Sequence, residues 1–156
     1  MIILGIDPWT TTIWFALLEK TEKKHTLLEY GVIETTPRQE MSLKLIDMAR
    51  DLESLITTFQ PTIAGIEKLF FLNNLKTGID VAQARGVILH TLATNGVIIK
   101  EYTPLQVKQG ITGNGNAKKR QIQNTIKILF NMEEIPKPDD AADAIAIAYL
   151  TSLTIR

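Results

Sequence analysis

The chain opens on an apolar run, IILGI, that stops at a single acid, Asp7, and gives way at once to Pro8-Trp9. A short apolar run without polar interruption predicts a strand buried on both faces over residues 2–6. Two further strands are predicted at Ile13 to Leu18 and Leu27 to Thr35, and the polar EKTEKKH between them predicts a hairpin. After Thr36-Pro37 the period changes. Leu45, Met48, Leu52, Leu55 and Phe59 recur at steps of three and four, one face of a helix that Pro61 ends. TIAGIEKLF then predicts a fourth strand. Residues 76–94 predict a second helix, with Ile79, Val87, Leu89 and Leu92 among its apolar positions and Asn95-Gly96 closing it. VIIKEY predicts a fifth strand. The remainder reads as a short helical piece, PLQVKQGI, and two longer helices, KKRQIQNTIKILF and DDAADAIAIAYLTSL, separated by the loops TGNGNA and EEIPKP.

The order of principal elements, β-β-β-α-β-α-β-α-α, puts three consecutive strands ahead of a β/α alternation. That predicts an α/β fold, a five-stranded mixed sheet with an antiparallel side and helices on both faces. With no repeat, linker or low-complexity stretch, residues 1–156 are expected to form one domain.

Composition narrows the chemistry. No segment approaches the roughly 18 consecutive apolar residues of a membrane span, and the first residues lack the basic segment and cleavage site of a secretory leader. Cysteine is absent, which excludes disulfides and thiolate metal sites and fits a reducing compartment; the expected location is cytoplasmic. Lys+Arg and Asp+Glu balance at 17 each, so any charged partner must be read from the distribution of charge rather than its sum.

The distribution is uneven. Asp7 ends the first strand and Glu67 comes late in the fourth; if those strands are parallel neighbours, both carboxylates emerge where open α/β sheets bind ligands. Taken singly, each also fits a loop cap or a solvated strand end. Asp140 and Asp143, three apart, share a helix face near its start. Favourable placement at a helix N-terminus accounts for some of this, and suits Asp139, the expected cap, best. Asp143, however, sits within the Ala/Ile-rich run AADAIAIAYL, where an unpaired carboxylate is costly. A divalent cation removes that cost, and four hard oxygen ligands without cysteine favour Mg²⁺ or Mn²⁺ over structural zinc. Such clusters also serve phosphatases and kinases, so the acids alone do not name a substrate.

Between Lys100 and Lys127 the chain carries Lys100, Lys108, Lys118, Lys119, Arg120 and Lys127 against a single acid, Glu101. Lys118, Lys119 and Arg120 follow the Gly/Asn-rich loop at an expected helix start, where backbone N–H groups and cations together favour phosphate over a merely solvated face. His25 and His90 fit surface or core roles better than catalysis.

Five blocks, IILGIDP, GIEKLFF, AQARG, LQVKQ…TGNGNAKKRQIQ and DDAADAIAIA, resemble in order the successive motifs of the RuvC family, the bacterial Holliday junction resolvases of the RNase H-like superfamily. The resemblance runs from residue 2 to about residue 150. It implies an RNase H-like fold and a homodimer that nicks four-way DNA junctions symmetrically with the help of metal. Asp7, Glu67, Asp140 and Asp143 fall on the family's catalytic, metal-holding acids. Lys108 and Lys119 fall on its backbone-binding lysines, beside Lys118 and Arg120. Phe70 falls on the aromatic that stacks on bases near the crossover, with Phe71 an alternative. AQARG falls near the subunit contact, where Gly86 would permit close helix approach. A branch-migration motor is an implied partner; a membrane is not.

The chain departs from the family pattern after Asp7-Pro8. Trp9, Trp14 and Ala16 stand where glycines are expected. Three readings are open: an ordinary turn with Trp9 outward as a stacking surface, a shifted site that cuts slowly or differently, or a protein that binds junctions without cutting them. An RNase H-like nuclease for other branched DNA is a further alternative. Retained cleavage is the expectation, because all four acids persist and idle buried carboxylates would only cost stability.

Overall fold

The computed structural model describes residues 1–9, 12–68 and 75–155, the side chains of 75–77 excepted. Its elements run β1 (Ile2–Pro8), β2 (Thr12–Lys20), β3 (His25–Glu34), α1 (Met41–Phe59), β4 (Ile63–Glu67), α2 (Leu75–Thr94), β5 (Ile98–Tyr102), α3 (Pro104–Thr112), α4 (Lys119–Leu129) and α5 (Asp139–Leu153). The short piece after β5 is a full helix of 9 residues, one more than the expected order counts. A reciprocal cap starts it. Thr103 Oγ1 accepts from the Gln106 N–H at 3.1 Å, and Gln106 Oε1 accepts from the Thr103 N–H at 2.8 Å.

The strands form one mixed sheet in the order β3-β2-β1-β4-β5. β1 and β2 pair antiparallel, as do β2 and β3, whereas β1 with β4 and β4 with β5 are parallel. The expected hairpin and the antiparallel side are both present. β1 also runs two residues further than expected, so Asp7 stands within the strand, opposite Trp14.

Strand alternation divides the apolar residues between two cores. Leu4, Ile6, Leu17, Ala64 and Ile66 point toward α1 and α2, where they meet Met48, Leu52, Ile56, Ala84, Ile88 and Leu92. Ile3, Ala16, Leu18 and Ile63 point the other way, toward α3, α4 and α5. At about 1.5–3 kcal/mol for each fully buried Leu or Ile, these two layers are the main source of stability. The second helix turns a different side inward than its longest side chains suggest: Ile79 is 60% exposed, while Ala84 and Ile88 are buried.

α5 lies hard against the sheet. Gly5 and Gly65 are neighbours in the β1–β4 register. A Cβ on Gly5 would run into the Ala144 carbonyl oxygen and the Ala148 nitrogen, and one on Gly65 into the Thr151 hydroxyl and Ile147. Ala141, Ala142, Ala144, Ala146 and Ala148 give the helix the thin, buried faces this approach needs. The helix enters through Pro138, whose extended backbone makes it the N-cap without a side-chain hydrogen bond. The expected cap, Asp139, instead joins Asp140 in the first turn, because the extended backbone that starts the helix falls one residue earlier, at Pro138.

Candidate active site

The register carries the acids together. Asp7 follows Gly5 on the same face of β1, the α5 face, and Glu67 ends the parallel neighbour β4. Asp143 sits one residue before Ala144, the residue that touches Gly5, so the close seat of α5 delivers its carboxylate to the C-terminal end of the two strands. Asp7 is only 8% exposed.

Burial is the main reason the pKa values of Asp7, Glu67 and Asp143 rise. The Asp7 carboxyl is pushed up to about 7 by burial, then by the charge of Glu67, with smaller contributions from Asp143 and Asp140; a hydrogen bond from Trp9 opposes the rise. Glu67 is pushed up to about 7, again by burial first and then by Asp143, with Lys108 opposing. Asp143 is raised by burial, against the pull of Lys119. Asp140 is the outlying member, with a side chain 35% exposed and the weakest effect on Asp7.

Two lysines flank the acids. Lys119 Nζ stands 2.9 Å from Asp140 Oδ1 and 3.5 Å from Asp143 Oδ2. Burial works against its charge, but the bond to Asp140 and the negative field of Asp143, Asp140 and Asp139 hold its pKa above the ordinary lysine value. Lys108 lines an open cavity of about 240 Å³ with Glu67, Asp143, Lys119, Pro104, Val107 and Ile122. Lys118 and Arg120 are exposed at the start of α4, where the Gln121 side chain accepts from the Lys118 N–H at 2.7 Å. Phe70 and Phe71 lie outside the described residues.

The glycine departures are conformationally ordinary. Among the described residues the non-glycine positions with positive φ are Arg38, Gln60 and Asn131, so neither Trp9, Trp14 nor Ala16 needs glycine's backbone freedom. Ala16 is fully buried opposite Gly5, and Trp14 packs on the α5 core. The Trp9 backbone N–H donates to Thr12 O at 2.9 Å, closing the β1–β2 hairpin, and its indole Nε1–H donates to Asp7 Oδ2 at 3.1 Å. The double pairing of Lys119 and the indole bond are features that the sequence did not announce.

This geometry, acids at the ends of two parallel strands with a third on a seated helix, meets its counterpart among known proteins. The family model for the crossover junction endodeoxyribonuclease RuvC matches residues 3–151. The chain belongs to the RuvC family. Its relatives include the crossover junction endodeoxyribonuclease RuvC of Petrotoga mobilis, 46% identical over 149 residues that span 96% of this chain and 91% of that one. The RuvC of Caldicellulosiruptor saccharolyticus is also 46% identical, with 95% and 90% covered. Among solved structures, Thermus thermophilus RuvC in complex with Holliday junction substrate superposes with a TM-score of 0.89 at 28% identity, covering 96% of this chain and 92% of that one. The five-stranded mixed sheet is thus the RNase H-like sheet of the RuvC resolvases.

RuvC nucleases are metal-dependent, and the donor set here suits a hard cation. It offers carboxylate oxygens without cysteine, and burial and mutual repulsion penalise the ionised acids in a way that a divalent charge would relieve. Among the described residues no three acidic or imidazole side chains already converge as a closed cation cage. Lys119 and the Trp9 indole instead answer the charge of Asp140, Asp143 and Asp7.

Proposed function

We propose that this chain is a structure-specific endonuclease that resolves four-way DNA junctions by paired, metal-dependent phosphodiester hydrolysis in recombination and repair. The observation that carries this reading is the placement of buried Asp7 and half-buried Glu67 and Asp143 at one sheet end, with Lys108 and Lys119 beside them. Relatives named as crossover junction endodeoxyribonucleases, at 46% identity over nearly the whole chain, support the substrate.

In this proposal Asp7, Glu67, Asp140 and Asp143 hold Mg²⁺, with Mn²⁺ as substitute. When bound, the cations would activate water as the nucleophile and stabilise the charge that develops on the scissile phosphate. The protein's own residues do the rest. Asp7 supplies a carboxylate fixed by its strand, and Glu67 one fixed by the parallel neighbour. Asp143 reaches them from α5, and half-buried Asp140 closes the set toward solvent. Lys108 projects into the cavity beside Glu67, where it would meet DNA phosphate; Lys118 and Arg120 extend that basic surface along the start of α4. Lys119 would exchange its carboxylate partners for phosphate as DNA and cations arrive. Phe70 would stack on an unpaired base at the crossover.

The paired cuts call for two sites in fixed relation, hence a homodimer. A face of α2 supports this. Ile79, Ala82, Gln83 and Gly86 are exposed along one side, and a Cβ on Gly86 would meet nothing within 4 Å, which leaves room for a partner helix. Among the described residues no helix is long and apolar enough to cross a membrane. Action on DNA junctions fits a cytoplasmic location, where a branch-migration motor would supply the substrate.

The test is direct. A labelled four-way junction incubated with the protein and Mg²⁺ is expected to yield symmetric paired nicks. Asp7→Asn is expected to cut about a hundredfold or more slowly, because the metal's charge stabilisation is worth several kcal/mol. Flaps and hybrid duplexes cut as well as junctions, or a mutant as active as the parent, would defeat the proposal.

A further inference from the structure

Trp9 stands immediately beside the acids and is used by nothing in the mechanism above. Its two sides face different surroundings. The indole N–H donates to Asp7 Oδ2 at 3.1 Å, yet the residue as a whole is 50% exposed. A large apolar ring half in water beside a phosphate-cutting site is a ready surface for a nucleobase, since every base offers a π-face. A charge-assisted N–H bond to a carboxylate, meanwhile, fixes the orientation of that carboxylate while leaving its other lone pairs available.

We propose that Trp9 is a positioning and specificity-determining residue for this site: its indole N–H holds Asp7 in the rotamer that receives the cation, and its outer ring face stacks on a base next to the cut phosphate. The hairpin supports both roles. The backbone N–H of Trp9 is tied to Thr12 O at 2.9 Å, and Asp7, two residues earlier, is tied into β1. The ring therefore hangs from a fixed point. A nucleotide stacked on it is registered against the carboxylate by one rigid side chain. Outer hydrogen-bond partners of metal-holding carboxylates matter at about the 10–100-fold level in cation affinity, and a base stacked on an aromatic ring is worth about 1–3 kcal/mol, or about 5-fold to 160-fold in binding.

The inference rests on the reading of Asp7 as a metal-holding acid in a junction nuclease, and the experiment separates the two. The chain has 2 tryptophans, so Trp14→Phe leaves Trp9 as the sole indole emitter. In this background, saturating metal-free four-way junction is expected to quench Trp9 emission strongly. Trp9→Phe, which keeps a ring and removes the donor, is expected to bind the junction within about twofold of the parent but to bind Mn²⁺, titrated without DNA by electron paramagnetic resonance, about tenfold more weakly. Trp9→Gly is expected to lose the same Mn²⁺ affinity and in addition about fivefold or more in junction affinity. Both variants keep the backbone bond to Thr12, so their melting temperatures are expected to match the parent's. Unaltered Mn²⁺ affinity in Trp9→Phe would overturn the positioning role, and emission unmoved by a bound junction the stacking role. If the parent neither binds nor cuts junctions, it is the proposed function that fails.

Discussion

At the scale of single residues, the acids of the site weaken the protein that carries them. Asp7 and Glu67 hold protons up to about pH 7 in the folded chain, whereas in the unfolded chain ordinary carboxyls release theirs near pH 4. Their contribution to stability is therefore fully present below about pH 4, declines as pH rises toward 7, and stays lost above it, because across that window the native state binds more protons. The metal-free protein is expected to show a urea midpoint that falls between pH 5 and pH 8, as the unfolding free energy drops by an amount on the order of a few kcal/mol. Asp7→Asn is expected to flatten the fall and to be more stable than the parent at pH 8, while losing cleavage. Mg²⁺ at pH 8 should raise the parent's midpoint more than the mutant's. A midpoint that climbed from pH 5 to pH 8 would show that these carboxylates are ionised when folded.

At the scale of elements, the glycine pair under α5 sets where the third acid lies. Gly5→Ala would drive a methyl into helix backbone, which cannot turn aside; Gly65→Ala would meet side-chain atoms of Thr151 and Ile147, buried β-branched groups that can yield only by leaving their rotamers. Both are expected to destabilise, by about 1–3 kcal/mol for overpacking, with Gly5→Ala the worse. Cleavage should fall further than thermal stability accounts for, because Asp143 rides on the displaced turn. Equal losses at the two sites, read by calorimetry, would show that α5 adjusts as a rigid body. These elements also mark what the sequence could and could not reveal. An apolar run ending in an acid is a local signal, so Asp7 and Glu67 were legible, as was Asp143 among alanines and isoleucines. The inward side of α2 was not, because apolar residues occur around most of that helix and periodicity alone does not choose between Ile79 and Ile88. Nor were the bonds of Trp9 to Asp7 and of Lys119 to Asp140 and Asp143, since these depend on rotamers and on the spacing of α4 and α5, not on any pattern along the chain.

At the scale of the whole molecule, the proposed pairing of two chains through α2 can be tested without touching the acids. Gly86→Arg fills the open space on that face and is expected to give a monomer by light scattering, with circular dichroism unchanged. Junctions should then receive single nicks in place of paired ones. A dimer of undiminished mass would move the contact elsewhere.

The antiparallel side of the sheet has a practical use. β2 runs 9 residues from the site end to the turn at Thr21 to Lys24, which is closed by the Thr21 N–H to Lys24 O bond at 2.9 Å. At about 3.4 Å per residue the far turn stands roughly 25–30 Å from Asp7. Glu22, exposed at that tip, is thus a natural anchor for a dye or a surface tether. In a chain without native cysteine a single Glu22→Cys would be labelled uniquely, letting individual resolution events be watched from the end of the protein that the chemistry never visits.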